Sequence, residues 1–275
     1  MSDDSPAKPA NDEKTRAPAR RSLGVRVALG AVKGVVALGV LAAVVLGASW
    51  LNVMPGGWRV RSEWAQRKVD RQLKEFRDES TKIPEGSVVF LGSSTMAKMP
   101  MAELYKGAPC VNRGIGAENT LGLIARLDVS LPVARPAGVV INAGANDFRA
   151  DRLETKMVLE RAATLVDNVR ARFPDVPITI VEPLAQSSED PDLVLQLTYV
   201  CEGLQAYAQA HGFPYVRLNR PPLVTEDGLL RMDMTAGDGR HPNEEAYRIM
   251  AKWIAEDGGE ATKPLREAMA KNAKP

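Results

Sequence analysis

Short apolar runs that alternate with helix-length stretches constrain the fold of this chain more than any other feature. Most of the runs are continuous and rich in β-branched residues, as in parallel strands that are buried on both faces. The runs lie at 88–91, 109–112, 138–144, 178–183 and 215–218. Helical patterns lie between them, the clearest over 152–173. We therefore predict an α/β fold, a three-layer α/β/α sandwich around a five-stranded parallel sheet.

Composition excludes several classes of protein. Of the 275 residues, 45% are apolar and 25% are charged, which is typical of a globular chain. The formal net charge is only +2, so we expect no nucleic-acid partner. Two cysteines, Cys110 and Cys201, are too few for a disulfide scaffold; we expect buried thiols, although an oxidising compartment would permit pairing. Two histidines, His211 and His241, rule out a histidine-rich metal site.

The first part of the chain has the pattern of a membrane anchor. Residues 1–22 are polar and predict a disordered tail. Residues 34–51 carry no charge, so we predict one transmembrane helix within 23–54. A buried core helix and a cleaved signal peptide are the alternatives, but the long charged segment ahead of the run favours an uncleaved signal anchor. Flanking positive charges are equal in number on the two sides and do not decide orientation. The signal-anchor layout places the large domain outside the cytoplasm, in the periplasm or at the cell surface.

The rest of the chain divides into three predicted parts. Residues 55–84 form a juxtamembrane amphipathic helix, lying on the bilayer or the domain, or serving as a stalk. Residues 85–258 form the α/β domain, and its last helix covers about 243–256. Residues 259–275 form a charged C-terminal tail.

Four polar loops lie where the strands of this sheet are predicted to end, which is where such folds bind ligands. Taken singly, each loop has a structural explanation. The serines and Asn146 or Asp147 suit helix caps or turns, and an Asp–His contact can be structural. The second loop is an incomplete dinucleotide fingerprint. The loops are Gly92-Ser93-Ser94-Thr95, residues 112–119, Gly144-Ala145-Asn146-Asp147 and Asp238-Gly239-Arg240-His241.

Together, and in this order, the four loops resemble the blocks of the SGNH (GDSL-type) hydrolase family. The resemblance runs from about residue 87 to 250, with the first block in a Gly-Ser-Ser form. It implies a flavodoxin-like SGNH hydrolase fold and a serine ester hydrolase that needs no metal or organic cofactor. The residue types fit independently, because a serine hydroxyl needs a nearby base to become a nucleophile. Ser94 is then the nucleophile, His241 the general base, and Asp238 the group that orients the imidazole.

The resemblance also indicates donors for the oxyanion that forms on the substrate carbonyl. These are the N–H of Ser94, the N–H of Gly116 or Ala117, and the side-chain amide of Asn146. The family usually has glycine where this chain has Ala117. If that position needs a positive φ, Gly116 becomes the alternative donor.

Alternative functions share the same residues. An acyltransferase would pass the acyl group from Ser94 to a sugar or lipid of the cell envelope, and a non-catalytic envelope protein would keep only the fold.

Arg113 and Arg240 near the site either bind an anionic substrate or, as we expect, are solvated surface residues. The loop over 184–195 is a candidate wall of the pocket, and His211 is expected to be a surface residue without a catalytic role. The expected substrate is a small ester or an acylated carbohydrate or lipid.

Overall fold

The computed structural model describes Val40 and residues 57–273. The tail predicted over 1–22 and the membrane helix predicted within 23–54 lie outside these residues, Val40 excepted. In the part of the chain that is described, no helix is both long and apolar enough to cross a membrane. Residues 67–275 form one compact unit, and the fold below is that of this unit.

A five-stranded parallel sheet forms the centre of the unit, as predicted. Its strand order is β2-β1-β3-β4-β5, so β1 lies between β2 and β3 and pairs with both along its whole length. The last strand is short, with two residues paired to β4. The strands are β1 (Val88–Gly92), β2 (Cys110–Gly114), β3 (Gly138–Asn142), β4 (Ile178–Val181) and β5 (Tyr215–Val216).

Helices connect the strands and cover both faces of the sheet. The long helical pattern over 152–173 corresponds to one helix, which follows β3 in the sequence. The helices are α1 (Gly57–Ser80), α2 (Ser94–Ala97), α3 (Met101–Leu104), α4 (Thr120–Ala125), α5 (Leu127–Ser130), α6 (Ala145–Arg149), α7 (Thr155–Arg172), α8 (Pro191–Ala210), α9 (Glu244–Asp257) and α10 (Lys263–Asn272), with 3₁₀ turns at Met232–Met234 and Gly259–Thr262.

Two hydrophobic clusters, one on each face of the sheet, explain why the strand runs are continuous. Strand β1 alternates between them: Val88 and Phe90 belong to one cluster, and Val89 and Leu91 to the other. Residues of α9 and α10 pack in the first cluster, and residues of α4 and α5 pack in the second. Because both faces are covered, every residue of β1 is buried, which confirms the three-layer arrangement.

The C-terminal segment differs from the charged tail that we predicted over 259–275. It forms a 3₁₀ turn and α10, and it packs on the domain through Ala261 and Leu265, which are fully buried. A Cβ at Gly138, the first residue of β3, would lie 2.3 Å from the carbonyl oxygen of Ala261, so only glycine allows this approach. The domain therefore extends beyond residue 258 to the end of α10.

A helix is present within the predicted 55–84 segment, and its C-terminal end docks on the domain. Phe76 of α1 is buried, and the guanidinium carbon of Arg113 lies 4.4 Å from the centroid of its ring. Glu79 accepts a hydrogen bond from Arg113 at 2.7 Å. The end of α1 is therefore part of the compact unit.

Candidate active site

Ser94 lies at the carboxyl edge of the sheet, directly after β1 and Ser93. It is the first residue of α2, a position whose N–H has no acceptor within its own helix. The side chain is partly exposed, and its hydroxyl forms no hydrogen bond with any other residue in the described part of the chain. Ser94 thus offers an unpaired hydroxyl and a backbone donor at the same point.

The loop after β2 is fixed against α2. The amide of Asn112 donates to the carbonyl oxygen of Met96 at 2.6 Å and accepts from the N–H of Gly114 at 2.9 Å. A Cβ on Gly114 would lie 2.3 Å from the nitrogen of Ala97, so glycine is required for this close approach. Asn112 and Gly114 are structural, and they hold the second loop beside Ser94.

Ala117 has a backbone conformation that favours glycine. Its φ is +64°, and within the described residues only Arg152 among non-glycines shares a positive φ. Gly116 has no positive φ, and both residues are exposed. The next residue, Glu118, is anchored because Arg126 donates to both of its carboxylate oxygens at 2.5–2.8 Å. The condition under which we named Gly116 as an alternative donor is therefore met.

Asn146 and Asp147, in the first turn of α6, connect the third loop to the second. The amide of Asn146 donates to the carbonyl oxygen of Glu118 at 2.7 Å, which uses one of its two protons. Asp147 is fully buried and accepts from the N–H and hydroxyl of Thr120 at 2.9 and 2.7 Å. Asp147 therefore caps α4 rather than its own helix, and Asn146 keeps one donor for another group.

Asp238 and His241 form the contact that their spacing predicts. Nδ1 of His241 lies 2.5 Å from Oδ2 of Asp238. The other carboxylate oxygen accepts the N–H groups of Arg240 and His241 at 2.9 and 2.8 Å. The pKa of Asp238 is held below the usual carboxyl range. The hydrogen bond to the imidazole has the largest effect, and the two backbone hydrogen bonds add to it. The imidazole is oriented through Nδ1, which leaves Nε2 for a different partner.

A tyrosine that we did not name among the candidate residues joins the histidine loop to the serine loop. Tyr247, in the first turns of α9, donates from its hydroxyl to the carbonyl oxygen of Thr95 at 2.9 Å. Burial raises its pKa, so the phenol stays a donor. The start of α9 is thereby tied to the residue that follows Ser94. No hydrogen bond joins Ser94 to His241 among the described contacts.

The two arginines near the site differ in their surroundings. Arg113 is 2% exposed and donates to Ser130 and Glu79. Our expectation that it is a solvated surface residue was wrong, because it holds α1 against β2. Arg240 is exposed, as expected.

A polar cavity of about 320 Å³ lies beside the candidate residues. The predicted wall over 184–195 does contribute to it, together with three arginines, of which Arg240 alone was among our candidates. Nothing in the sequence pattern marked the other two. The lining residues are Asn146, Arg149, Ala150, Arg152, Gln186, Ser188, Glu189, Asp190, Leu193 and Arg240.

The remaining candidate groups lie apart from these loops. Cys110 and Cys201 are free thiols, and burial raises the pKa of Cys110 to about 11. His211 is exposed at the end of α8, where its Nδ1 lies 2.9 Å from the carbonyl oxygen of Tyr207. Across the residues that the structure describes, no group of three or more His, Cys, Asp or Glu side chains is placed to hold a metal ion.

Solved structures share the fold of this chain. A protein from Streptococcus pneumoniae assigned as a platelet activating factor has a TM-score of 0.62 and 20% identity, over 71% of this chain and 95% of that one. A protein from Bacteroides fragilis assigned as an acylhydrolase has a TM-score of 0.60 and 22% identity, over 70% and 97%. A GDSL-like lipase from Bacteroides thetaiotaomicron has a TM-score of 0.57 and 22% identity, over 71% and 98%.

None of the curated proteins matches this sequence. Residues 92–249 match the GDSL-like lipase/acylhydrolase family. That match covers more than half of the chain, and its range includes all four loops. It therefore agrees with the family resemblance that we inferred from the sequence. This chain belongs to the GDSL-like lipase/acylhydrolase family of hydrolases.

Proposed function

We propose that this protein is a serine ester hydrolase in which Ser94, His241 and Asp238 form the catalytic triad. The observation that carries the proposal is the oriented His241–Asp238 pair, in a loop that Tyr247 ties to the residue after Ser94. An unpaired serine hydroxyl and an oriented imidazole at one edge of a parallel sheet are the parts that acyl transfer requires.

The reaction runs in two halves. His241 accepts the proton of Ser94 while the serine oxygen bonds to the ester carbonyl carbon, and the resulting imidazolium gives that proton to the departing alcohol. Water then attacks the acyl-serine and loses a proton to His241, which passes it to the Ser94 oxygen as the bond to the acyl carbon breaks and the acid is released. Asp238, held ionised by its three hydrogen bonds, stabilises the imidazolium in both halves.

Three donors stabilise the oxyanion in this proposal. They are the N–H of Ser94, the free proton of the Asn146 amide, and the N–H of Ala117 or Gly116. Loss of one such donor typically costs about 3 kcal/mol of transition-state stabilisation. Asn146→Ala removes the donor that a side chain supplies.

A covalent probe tests the assignment of the nucleophile. A fluorophosphonate is expected to label the wild-type protein at Ser94, and Ser94→Ala is expected to abolish both labelling and hydrolysis of an aryl ester. The matched control is Ser93→Ala, which removes the neighbouring hydroxyl and should still label. Labelling that persists in Ser94→Ala, or that disappears only in Ser93→Ala, would assign the chemistry to another residue.

We further propose that the enzyme is anchored in a membrane by the uncharged run over 34–51, with its catalytic domain on the extracytoplasmic side. The support is the length of the run and the long charged segment ahead of it. Anchoring of this kind would bring the active site close to acylated carbohydrate or lipid of the envelope.

A further inference from the structure

We propose that the polar cavity lined by Asn146 and Arg240 binds an anionic group of the substrate, a carboxylate or phosphate. The inference rests on the proposed ester hydrolysis and names the class of ester. The cavity touches the candidate machinery at two points: Asn146, a candidate oxyanion donor, and Arg240, the residue before His241. A group bound there is part of the same molecule whose ester reacts.

In the described part of the chain, two of the three arginines in the lining have no side-chain partner. The side chains of Arg152 and Arg240 form no hydrogen bond or ion pair within the residues that the structure describes. Arg149 differs, because it donates through two nitrogens to the buried carboxylate of Glu189. The lining therefore holds one neutralised pair and two unpaired guanidinium groups.

The carboxylates of the lining cancel only part of this charge. Glu189 is matched by Arg149, and Asp190 caps the start of α8 by accepting the N–H of Asp192 at 2.9 Å. Three arginines against two carboxylates leave the lining with a net charge of +1. Guanidinium groups bind carboxylate and phosphate oxygens through paired hydrogen bonds, which an ammonium group does not reproduce.

The backbone at Arg152 is a second, independent observation. Its φ of +57° is the left-handed conformation that glycine or asparagine adopts with less strain. Strained non-glycine residues concentrate at binding sites, where the side chain matters more than backbone relaxation. Arg152 lies in the turn between α6 and α7, and it is one of the residues that line this cavity.

The remaining lining residues argue against a fatty acyl chain. Only Ala150 and Leu193 are apolar, whereas pockets for apolar ligands are lined mainly by hydrophobic and aromatic side chains. A cavity of about 320 Å³ suits a short polar group better than a long hydrocarbon. The preferred substrate is therefore a small or polar ester with a negative charge a few bonds from the carbonyl carbon.

Matched ester pairs test the proposal. For the acyl side, 4-nitrophenyl succinate is compared with 4-nitrophenyl butyrate; for the alcohol side, 4-acetoxybenzoate is compared with 4-acetoxybenzamide. In at least one pair the anionic ester is expected to have a kcat/KM about tenfold higher than its neutral partner, the size of one charge-assisted hydrogen bond. The preference should shrink as salt is raised.

Variants connect the preference to the two arginines. In Arg152→Gln/Arg240→Gln the anionic-to-neutral ratio of kcat/KM is expected to fall about tenfold. Arg172→Gln, at the far end of α7, removes one positive charge away from the cavity and should leave the ratio unchanged. Arg152→Glu should shift preference towards the cationic 4-nitrophenyl ester of 4-(trimethylammonio)butyrate. Because each readout is a ratio between substrates, a general loss of active enzyme does not imitate it.

The two proposals fail in different ways. If fluorophosphonate labels Ser94 but neither ester pair shows a preference, or the double variant keeps it, the anion site is overturned and the hydrolase stands. If Ser94 is not labelled and no ester is hydrolysed, the proposed function is overturned and the anion site with it. Inhibition of wild-type hydrolysis by inorganic phosphate but not by succinate would identify a phosphate site, and the reverse a carboxylate site.

Discussion

Two requirements apply at Ala117, a backbone N–H donor and a positive φ, and only the second favours glycine over alanine. Its N–H is needed only as a donor, which alanine supplies as well as glycine. Its φ of +64°, however, costs alanine about 1 kcal/mol that glycine does not lose. The sequence identified the departure from the family pattern, but the sign of φ at position 117 is a property of the folded loop.

Ala117→Gly is expected to raise the free energy of unfolding by about 1 kcal/mol, because the strain is removed. Urea unfolding measures it. The control Ala206→Gly makes the same chemical change on the exposed face of α8 and should lower the free energy of unfolding by about 1 kcal/mol. A loss of stability in both variants would mean that position 117 is not left-handed in solution.

Asp238 makes a pH-dependent contribution to stability whose sign follows from its lowered pKa. A carboxyl whose folded pKa lies below its unfolded value of about 3.9 stabilises the fold above that pH. The contribution is lost as pH falls through the folded value. The difference in unfolding free energy between wild type and Asp238→Asn is therefore expected to shrink as pH falls below about 4. Chemical denaturation between about pH 5 and pH 2 measures it, and a difference that instead grew over this range would contradict the assigned hydrogen bonds.

At the scale of elements, α1 is coupled to the loop that carries Ala117. Phe76 lies against two guanidinium groups, those of Arg113 and Arg126, at 4.4 and 5.7 Å from its ring centroid. Arg126 in turn holds Glu118, whose carbonyl oxygen accepts from Asn146. The docking of α1 is therefore connected to a candidate oxyanion donor through three consecutive contacts.

Phe76→Ala is expected to lower the free energy of unfolding by about 3 kcal/mol, from lost burial and lost cation–π contacts. Phe76→Leu keeps most of the volume and should lose about 1 kcal/mol. Urea unfolding of both variants separates packing from the contact with the arginines. If Phe76→Ala is no less stable than Phe76→Leu, the end of α1 does not dock in solution.

The elements themselves differ in how far the sequence predicts them. The five strands and α7 were predicted because burial on both faces of a sheet, or along one face of a long helix, leaves a periodic apolar pattern. The pattern at α10 is sparse, since Ala261 and Leu265 stand among charges, and a tail was predicted there. Tyr247 and Arg152 were missed for another reason. Their positions depend on which loops the sheet order brings together, and a linear pattern does not contain that information.

At the scale of the whole molecule, the proposed anchor makes a prediction for the full chain. The full-length protein is expected to sediment with membranes and to resist extraction by carbonate. Replacing Leu41 and Val45 by lysine puts two charges into the uncharged run, each costing about 3 kcal/mol at the centre of a bilayer, and should release the protein. Replacing the same two residues by isoleucine is the control and should leave it bound. Soluble full-length wild type would contradict the anchor without affecting the triad.

The last helix has a practical consequence for handling this enzyme. Because Gly138 has no Cβ, the turn before α10 packs closely against the amino edge of the sheet. Asn272 donates to the carbonyl oxygen of Lys106, just ahead of β2. Ser94 and His241 follow strands at the other edge. A fluorescent reporter or a support attached after α10 would thus hold the molecule with its reactive side turned to the solution, ready for immobilised screening of ester libraries.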